Sequence, residues 1–188
     1  MPLRAPQQVR SHITVGRILH SATALIRQNG CAGLTVSDIA RGVGIPSGSI
    51  YQYFPDRVAI IGQLAEQYRV KNQRTVSQSL VAMKTDVAGI GVTLLDTYRE
   101  LHQEHPIARD IVMGMTIDVQ LRVMGTQYVQ EHAEFVFDRV KHLFDHGQYE
   151  PVKQVILLSM HCSAVAVERV KMLDDDQRQV ALELARTM

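Results

Sequence analysis

The segment from Thr35 to Arg57, TVSDIARGVGIPSGSIYQYFPDR, constrains the fold of this chain more than any other part of it. It predicts two short helices joined by a tight turn, followed at once by the start of a third helix. The first helix is apolar on one face, whereas the second is short and has small, polar residues outside. This is the shape of a helix-turn-helix, whose second helix can enter the major groove of DNA.

Capping and turn residues set the boundaries of these helices. Thr35 is predicted to cap the first helix, and Asp38, three residues later, can complete a capping box. Gly44 supplies the turn, because a positive φ there would cost most other residues free energy. Pro46 lies where a proline is tolerated, at the start of the second helix. We expect that second helix over residues 47–54, with Ile50 and Phe54 facing inward.

Nearly all of the remaining sequence has the apolar periodicity of helices. The first helix of the chain is predicted to end at Asn29 and Gly30, because both residues tolerate the left-handed conformation. A polar run over residues 73–79 indicates a junction between an N-terminal head and a C-terminal body. No alternating pattern typical of strands is found, so the prediction is an all-α fold with a three-helix head and a helical body.

The body is predicted to contain four or five helices. Their ranges are 87–105, 106–115, 118–145, a helix opened by Pro151 and a final one from Asp174. The helix after Pro151 is apolar on more than one face, so it must be covered on more than one side. We favour a symmetric homodimer in which the last two helices pack against their mates, and the alternative is a buried central helix of a monomer.

Charge and hydropathy narrow the classes of function. The first 57 residues contain six arginines and two aspartates and therefore carry +4, and the total of +1 leaves −3 on the rest. A basic head on a mildly acidic body suits a surface that faces phosphates. No apolar run is long enough to span a membrane, and the N-terminus has no secretory signal, so we expect a cytoplasmic protein.

The sequence contains no arrangement typical of catalysis or metal binding. His142 and His146 have the spacing of metal ligands on a helix, but the ligand set is incomplete, and a solvated helix face is the favoured interpretation. Cys31 and Cys162 fit no metal motif and are expected to be free thiols. No nucleophile motif and no pair of carboxylates is found. We therefore expect no enzyme, no metal and no cofactor.

The N-terminal part of the chain contains, in this order, the first helix, T-V-S-D-I-A, the turn glycine, S-G-S-I-Y-Q-Y-F and D-R. Together these features resemble the N-terminal domain of TetR-type transcriptional repressors. The resemblance covers about residues 14–65. It implies a flexible basic arm over residues 1–13, a DNA-binding domain over residues 14–58, and a ligand-binding and dimerisation domain over residues 59–188. Arg4 and Arg10 in the arm either reach an adjacent groove or phosphate or contribute only electrostatics.

The resemblance implies roles in DNA binding for one set of residues. They are Thr35, Ser37, Ser47, Gly48, Ser49, Tyr51, Gln52, Tyr53 and Arg57. Thr35 is expected to contact the phosphate backbone, as are Tyr51 and Tyr53. Gln52 suits a base edge, because glutamine pairs bidentately with adenine. Arg57 is expected to clamp a phosphate.

The chain departs from the family pattern at the start of the recognition helix. Pro46 stands where the family usually has a serine or threonine cap, so Ser47 takes over part of that role. Because the outward residues are small, sequence readout is expected to depend on Gln52, Ser37 and DNA shape. An alternative is that Tyr51 and Tyr53 only pack beneath the head.

The resemblance also implies a small hydrophobic effector in the body. Its binding would shift the homodimer between a spacing that fits a palindromic double-stranded operator and a wider one. The candidate pocket residues are Leu94, Tyr98, His102, Met113, Ile117, Leu121, Met124, Tyr128, Met160 and His161. His102 or His161 would serve as the polar group of this pocket. The alternative is that these residues are ordinary core.

Three functions remain open on the sequence. The favoured one is a dimeric, ligand-responsive repressor that binds DNA, although activation in place of repression is not excluded. The second is a helical enzyme or small-molecule carrier whose head is structural, and the third is a helical module for protein partners. The basic head with its tyrosines favours the first.

Overall fold

The computed structural model describes residues 6–82 and 87–158 of the chain. This part of the chain is helical and contains no strand. The helices are α1 Pro6–Asn29, α2 Val36–Val43, α3 Ser47–Ile50, α4 Arg57–Ala82, α5 Val87–Glu104, α6 Pro106–Ile117 and α7 Arg122–Val140. Two short 3-10 helices, Lys141–Leu143 and His146–Gln148, precede α8, which covers residues 149–158. The predicted all-α fold, with a helix-turn-helix in its head, is confirmed.

The head is built around one apolar core. Its helices α1, α2, α3 and the first half of α4, and the segment between α1 and α2, each contribute side chains that are almost fully removed from water. These are Ile18, Ala22, Ile26, Leu34, Ile39, Ile50, Ile60, Ile61 and Leu64. Burying a side chain of this size contributes about 1.5–3 kcal/mol relative to leaving it exposed. The short helices α2 and α3 are therefore stable because of this shared core, since helices so short do not form alone.

Helix α6 of the body packs directly on the head. Ile107, Ile111 and Met115 belong to the same apolar cluster as the head residues. At Gly114 a Cβ would lie 2.6 Å from the Cys31 Sγ, so no larger residue fits without displacement. Burial raises the pKa of the Cys31 thiol to about 11, so this cysteine is a protonated packing residue at neutral pH.

A second apolar cluster lies in the body. It joins the second half of α4 with α5, α7 and α8. Its buried members are Val76, Leu94, Tyr98, Leu101, Ala133, Val136, Phe137, Val140 and Ile156. Helix α4 thus contributes to both cores, and it connects head and body without a linker.

The continuity of α4 corrects the prediction of a junction over residues 73–79. The hydroxyls of Ser77 and Ser79 donate to the carbonyls of Gln73 and Thr75, at 2.7 and 3.1 Å, so these polar side chains are satisfied within the helix. Val76, within the same run, is fully buried. The polar run is therefore part of a continuous helix and not a connection between domains.

Three further boundaries differ from the sequence prediction. Helix α1 begins at Pro6, so residues 6–13 are helical in place of a flexible arm. Helix α3 ends at Ile50, because Pro55 disfavours helical conformation in the residue before it and the segment in between forms turns. Helix α7 ends at Val140, and a capping box between Asp145 and Gln148 starts the second of the two 3-10 helices, His146–Gln148.

Candidate nucleic-acid interface

Helix α2 is capped at both ends by its own sequence. The Thr35 hydroxyl oxygen accepts from the backbone N–H of Asp38 at 3.1 Å, as predicted, while the hydroxyl donates to the Asp38 carboxylate at 2.6 Å. This bond, followed by Arg41, holds the pKa of the Asp38 carboxyl below its usual range. Gly44 ends the helix with a φ of +74° and donates to the Ala40 carbonyl. The caps fix where the helix begins and where the turn follows.

The outer side of α3 and its following turn is open and nearly free of large side chains. Ile50 and Phe54 are buried in the head core, whereas Gly48, Tyr51 and Gln52 are exposed. A Cβ added at Gly48 would meet no atom within 4 Å. Another surface can therefore approach the backbone of α3 closely. Ser37 is exposed on α2, and Ser47 and Ser49 are half-buried.

The two tyrosines of this segment have different environments. Tyr51 is 56% exposed. Tyr53 is half-buried and packs against the head core. The alternative that both tyrosines only pack beneath the head is therefore wrong for Tyr51. For Tyr53 it holds in part, because one portion of the ring packs against the head core.

Much of the positive charge of the head is engaged within the protein. Arg17 donates to the Val43 carbonyl at the end of α2, and Arg41 forms an ion pair with Asp38 at 2.8 Å. Arg57 has a side chain only 20% exposed, and it forms an ion pair with Asp118 of the body at 2.8 Å. The structure thus gives Arg57 protein partners where the sequence predicted a phosphate clamp.

A group of buried polar side chains lies in the body between α4, α5 and α7. The Tyr98 hydroxyl and the His132 Nε2 form a short hydrogen bond, and Asn72 of α4 and His102 of α5 are also buried. Within residues 6–82 and 87–158, the Oδ1 of Asn72 and the Nδ1 atoms of both histidines lack a hydrogen-bond partner. An unsatisfied buried polar atom costs about 1–3 kcal/mol.

Burial sets the protonation of this group. It lowers the pKa of His102 and of His132 to about 4, so both imidazoles are neutral at neutral pH. Burial also raises the pKa of Tyr128 to about 12 and raises the pKa of Tyr98. The interior of the body at this level therefore offers neutral hydrogen-bonding groups in an apolar surrounding.

Comparison with known proteins identifies the family of this chain. The family described as "Bacterial regulatory proteins, tetR family" matches residues 18–64. The family described as "Tetracyclin repressor-like, C-terminal domain" matches residues 85–188, which is more than half of the chain. The chain belongs to the TetR family of transcriptional regulators. The resemblance in the helix-turn-helix segment is thereby confirmed and extended to the body.

Individual relatives of this TetR-family chain are distant. An uncharacterised HTH-type transcriptional regulator of Mycobacterium tuberculosis is 26% identical over 130 residues, covering 69% of this chain and 62% of that protein. The chain thus spans less than two thirds of the length of the curated relatives it matches first.

Two solved structures illustrate the shared fold. A TetR-family regulator from Syntrophomonas wolfei has a TM-score of 0.71 at 15% identity, over 94% of this chain and 95% of that one. The regulator FadR from Bacillus subtilis, solved with stearoyl-CoA, has a TM-score of 0.62 at 16% identity, over 89% of this chain and 95% of its own. At these identities the likeness shows a common fold.

The predicted pocket residues of this TetR-family chain do not form one group. Leu94 and Tyr98 belong to the body cluster, and His102 is buried on the same helix. Leu121 belongs to the head cluster, and Met124 and Tyr128 pack against it. Met113 is half-buried. Ile117, the last residue of α6, is 69% exposed, so it lines no interior site, and its prediction is wrong. Met160 and His161 lie outside the described residues.

Residues 6–82 and 87–158 contain neither a candidate membrane span nor a candidate metal site. None of the helices there is both long and apolar enough to cross a membrane. No group of three or more His, Cys, Asp or Glu residues there is placed to hold a metal ion. His142 and His146 are exposed, and His146 stacks on the Tyr149 ring.

Several residues important to this TetR-family chain are missed by sequence reasoning. Asp118 and Gln120 bind Arg57 from more than 60 positions away, and no local pattern reveals such a contact. Asn72 and His132 lie on helices whose polar and apolar residues are only weakly separated between faces. The sequence therefore does not distinguish an inward polar residue from a solvated one on these helices. Their only sequence signal is helical spacing from apolar neighbours.

Proposed function

We propose that this regulator is a repressor that binds a palindromic operator as a homodimer and leaves it when a small hydrophobic molecule binds in the body. One observation supports DNA recognition above the others. Gly48, Tyr51 and Gln52 are exposed on one side of α3 and its turn, while Ile50 and Phe54 anchor the other side in the head core. A short element anchored in this way fits the major groove.

We assign the contacts by chemistry. The proposed DNA-binding residues are Thr35, Ser37, Ser47, Gly48, Ser49, Tyr51, Gln52 and Tyr53. Thr35 and the two tyrosine hydroxyls bind phosphate oxygens, which positions the head without reading sequence. Gln52 reads a base edge, and Gly48 lets the α3 backbone come close. The small side chains leave part of the readout to DNA shape.

A homodimer is supported by the apolar surface of α8. Val155 and Leu158 are 62% and 63% exposed on this helix, which is the start of the broadly apolar segment after Pro151. Burying such side chains against a second copy is favourable. Two recognition elements held about 34–36 Å apart would then read successive major grooves of one DNA face.

We propose that the effector binds beside the buried polar side chains of α4, α5 and α7. Their unsatisfied atoms can be paired by a ligand, and the surrounding side chains are apolar. FadR from Bacillus subtilis was solved with stearoyl-CoA, which supports a small-molecule site in a body of this fold. Pocket walls rich in methionine and leucine adapt to apolar ligands.

The DNA-binding proposal is tested by fluorescence anisotropy with labelled duplexes from the region upstream of the gene for this chain. Gly48→Ala is the sharpest variant, because the added Cβ meets nothing within 4 Å in the free protein. We expect unchanged or slightly raised stability and weaker DNA binding. Gly147→Ala, where the added Cβ also meets nothing, is the matched control in the body and leaves DNA binding unchanged.

Two further variants separate phosphate contacts from base contacts. Tyr51→Phe should weaken binding to all duplexes alike and leave the salt slope unchanged, because the lost hydroxyl is uncharged. Gln52→Ala should change sequence preference by about 1–3 kcal/mol at one base pair. A wild-type protein that is monomeric and ignores every duplex at low salt would contradict the proposal. Equal effects of Gln52→Ala on all sequences would contradict base reading by this residue.

Release by an effector is tested by thermal shift and then by transcription. A ligand that binds only the folded state raises the melting temperature, so uncharged apolar compounds and stearoyl-CoA are suitable first probes. A compound that stabilises the protein should lower its DNA affinity and restore transcription in vitro from the upstream promoter. Protein that increases transcription without a ligand would indicate an activator.

A further inference from the structure

Arg57 connects three parts of the molecule. Its Nη1 donates to the Cys31 carbonyl at 2.9 Å, in the turn between α1 and α2. Its Nη2 donates to Asp118 Oδ2 at 2.8 Å and to Gln120 Oε1 at 2.6 Å, and its Nε donates to the same Gln120 oxygen at 3.0 Å. These bonds use most of the five N–H donors of a guanidinium. They join the start of α4 to the head turn and to the connection between α6 and α7.

The anion that Arg57 meets is part of the fold. Asp118 is the C-cap residue of α6, and its side chain is only 6% exposed. Its second carboxylate oxygen accepts from the Gln120 backbone N–H at 2.9 Å. The Arg57 hydrogen bond, ahead of the other causes, holds the pKa of the Asp118 carboxyl below its usual range. Asp118 is thus a charged group held in one position with Arg57 as its counter-charge.

Helix α6 has little room to move independently of its neighbours. On one side Gly114 touches Cys31 of the head turn so closely that a Cβ would lie 2.6 Å from its sulfur. On the other side a Cβ at Gly125 of α7 would lie 2.8 Å from the Met115 Cβ. Because packed interiors transmit displacement, a shift of α6 in the body must be felt at the head turn.

We propose that Arg57 is a positioning residue that holds the DNA-reading head on the connection between α6 and α7, and that it does not clamp a phosphate. The bond to the Cys31 carbonyl acts on the turn that leads directly into Thr35 and α2. A ligand that displaces the end of α6 would therefore tilt the head through this residue. The inference rests on the proposed function for its consequence in DNA release.

The two roles of Arg57 predict opposite results at Asp118. As a positioning residue, Arg57→Gln and Asp118→Asn should each weaken DNA binding about tenfold, with a double variant no worse than either single one, as expected for partners in one network. The slope of log K against log salt stays at the wild-type value. As a phosphate clamp, Arg57→Gln lowers that slope by about 0.9, and Asp118→Asn tightens binding by freeing the guanidinium.

A conservative variant sharpens the distinction. Arg57→Lys keeps the charge, so it preserves a phosphate contact, but a single ammonium cannot reach three partners in the geometry of a fork. We expect Arg57→Lys to remain impaired. Lys141→Gln, which breaks an exposed pair with Asp138 far along the body, is the control and leaves binding unchanged. Full rescue by lysine together with a reduced salt slope in Arg57→Gln would overturn the proposal.

Hydrogen exchange on the free protein gives a test without DNA. Arg57→Gln and Asp118→Asn should raise exchange to a similar extent at the turn between α1 and α2 and at the end of α6, with the far-UV circular dichroism of the wild type. Unchanged exchange at both places would overturn the proposal. This result stands even if the wild-type protein binds no duplex, an outcome that would reject the proposed function alone.

Discussion

The cores of the head and the body differ in kind, although both are made of helices. Every side chain in the head cluster is apolar, and α2 is capped at both ends by Thr35 and Gly44. The body buries Asn72, Thr97, His102 and His132, and its helices α6 and α7 begin without a side-chain cap. The head is therefore built as a rigid unit, whereas the body retains polar atoms that the described residues leave unsatisfied.

This difference has a consequence for how the two parts respond to a ligand. Any rearrangement of an apolar, well-packed core raises its free energy, so the head moves as one body. In a core with unpaired polar atoms, a ligand that pairs those atoms lowers the free energy. We therefore expect low local stability near the body histidines and high stability in the helix-turn-helix.

The largest effect of a single substitution at constant pH should come from the head core. Ile39→Ala removes a fully buried side chain and should lower the free energy of unfolding by about 3 kcal/mol, because the tightly packed surroundings cannot fill the cavity. Urea denaturation measures it. The same substitution at Ile13, which is 59% exposed, is the control and should cost less than about 0.5 kcal/mol. Similar costs at the two positions would contradict a rigid head core.

The next effect is a pH dependence that belongs to the body. The folded state lowers the pKa of His102 and His132 from 6.5 to about 4, so the unfolded chain binds protons more readily between these values. Their contribution to stability is complete above pH 6.5 and is lost as the pH falls towards 4. The slope should approach roughly 1.4 kcal/mol per pH unit for each histidine.

Substitution at these histidines should remove that dependence. Unfolding of the double variant with His102→Gln and His132→Gln should be nearly independent of pH between 6.5 and 5, above the range in which carboxylates titrate. His12→Gln, at an exposed position in the head, should keep the wild-type slope. A double variant with the full wild-type slope would show that the acid sensitivity lies elsewhere.

The smallest effect concerns the cap of α2. Thr35→Ala removes the side-chain bond to the Asp38 N–H and should cost about 1 kcal/mol of unfolding free energy. Thr126→Ala in α7 is the matched body substitution, because that hydroxyl only returns to the Arg122 carbonyl within the helix. Its effect should be close to zero or slightly stabilising. Equal losses of unfolding free energy at the two threonines would indicate that the Thr35 cap stabilises the protein no more than a hydroxyl within a helix does.

Local chemistry explains which predictions the structure confirms. The Thr35 cap, the left-handed Gly44 and the inward positions of Ile50 and Phe54 depend on neighbouring residues, so a short window of sequence contains them. The polar run within α4 is misleading for the same reason, because composition alone cannot tell a solvated helix face from a break. The proposed DNA contacts remain predictions drawn from the helix-turn-helix pattern.

The sequence by itself determines the helical class, the family and the outward residues of the recognition segment, because these follow from periodicity, capping and a motif confined to neighbouring positions. Only the tertiary structure assigns Arg57 to Asp118, exposes Ile117 and places His132 beside Tyr98. Those outcomes depend on which helix packs on which. Periodicity shows that a helix has an inner face, and packing alone selects what that face meets.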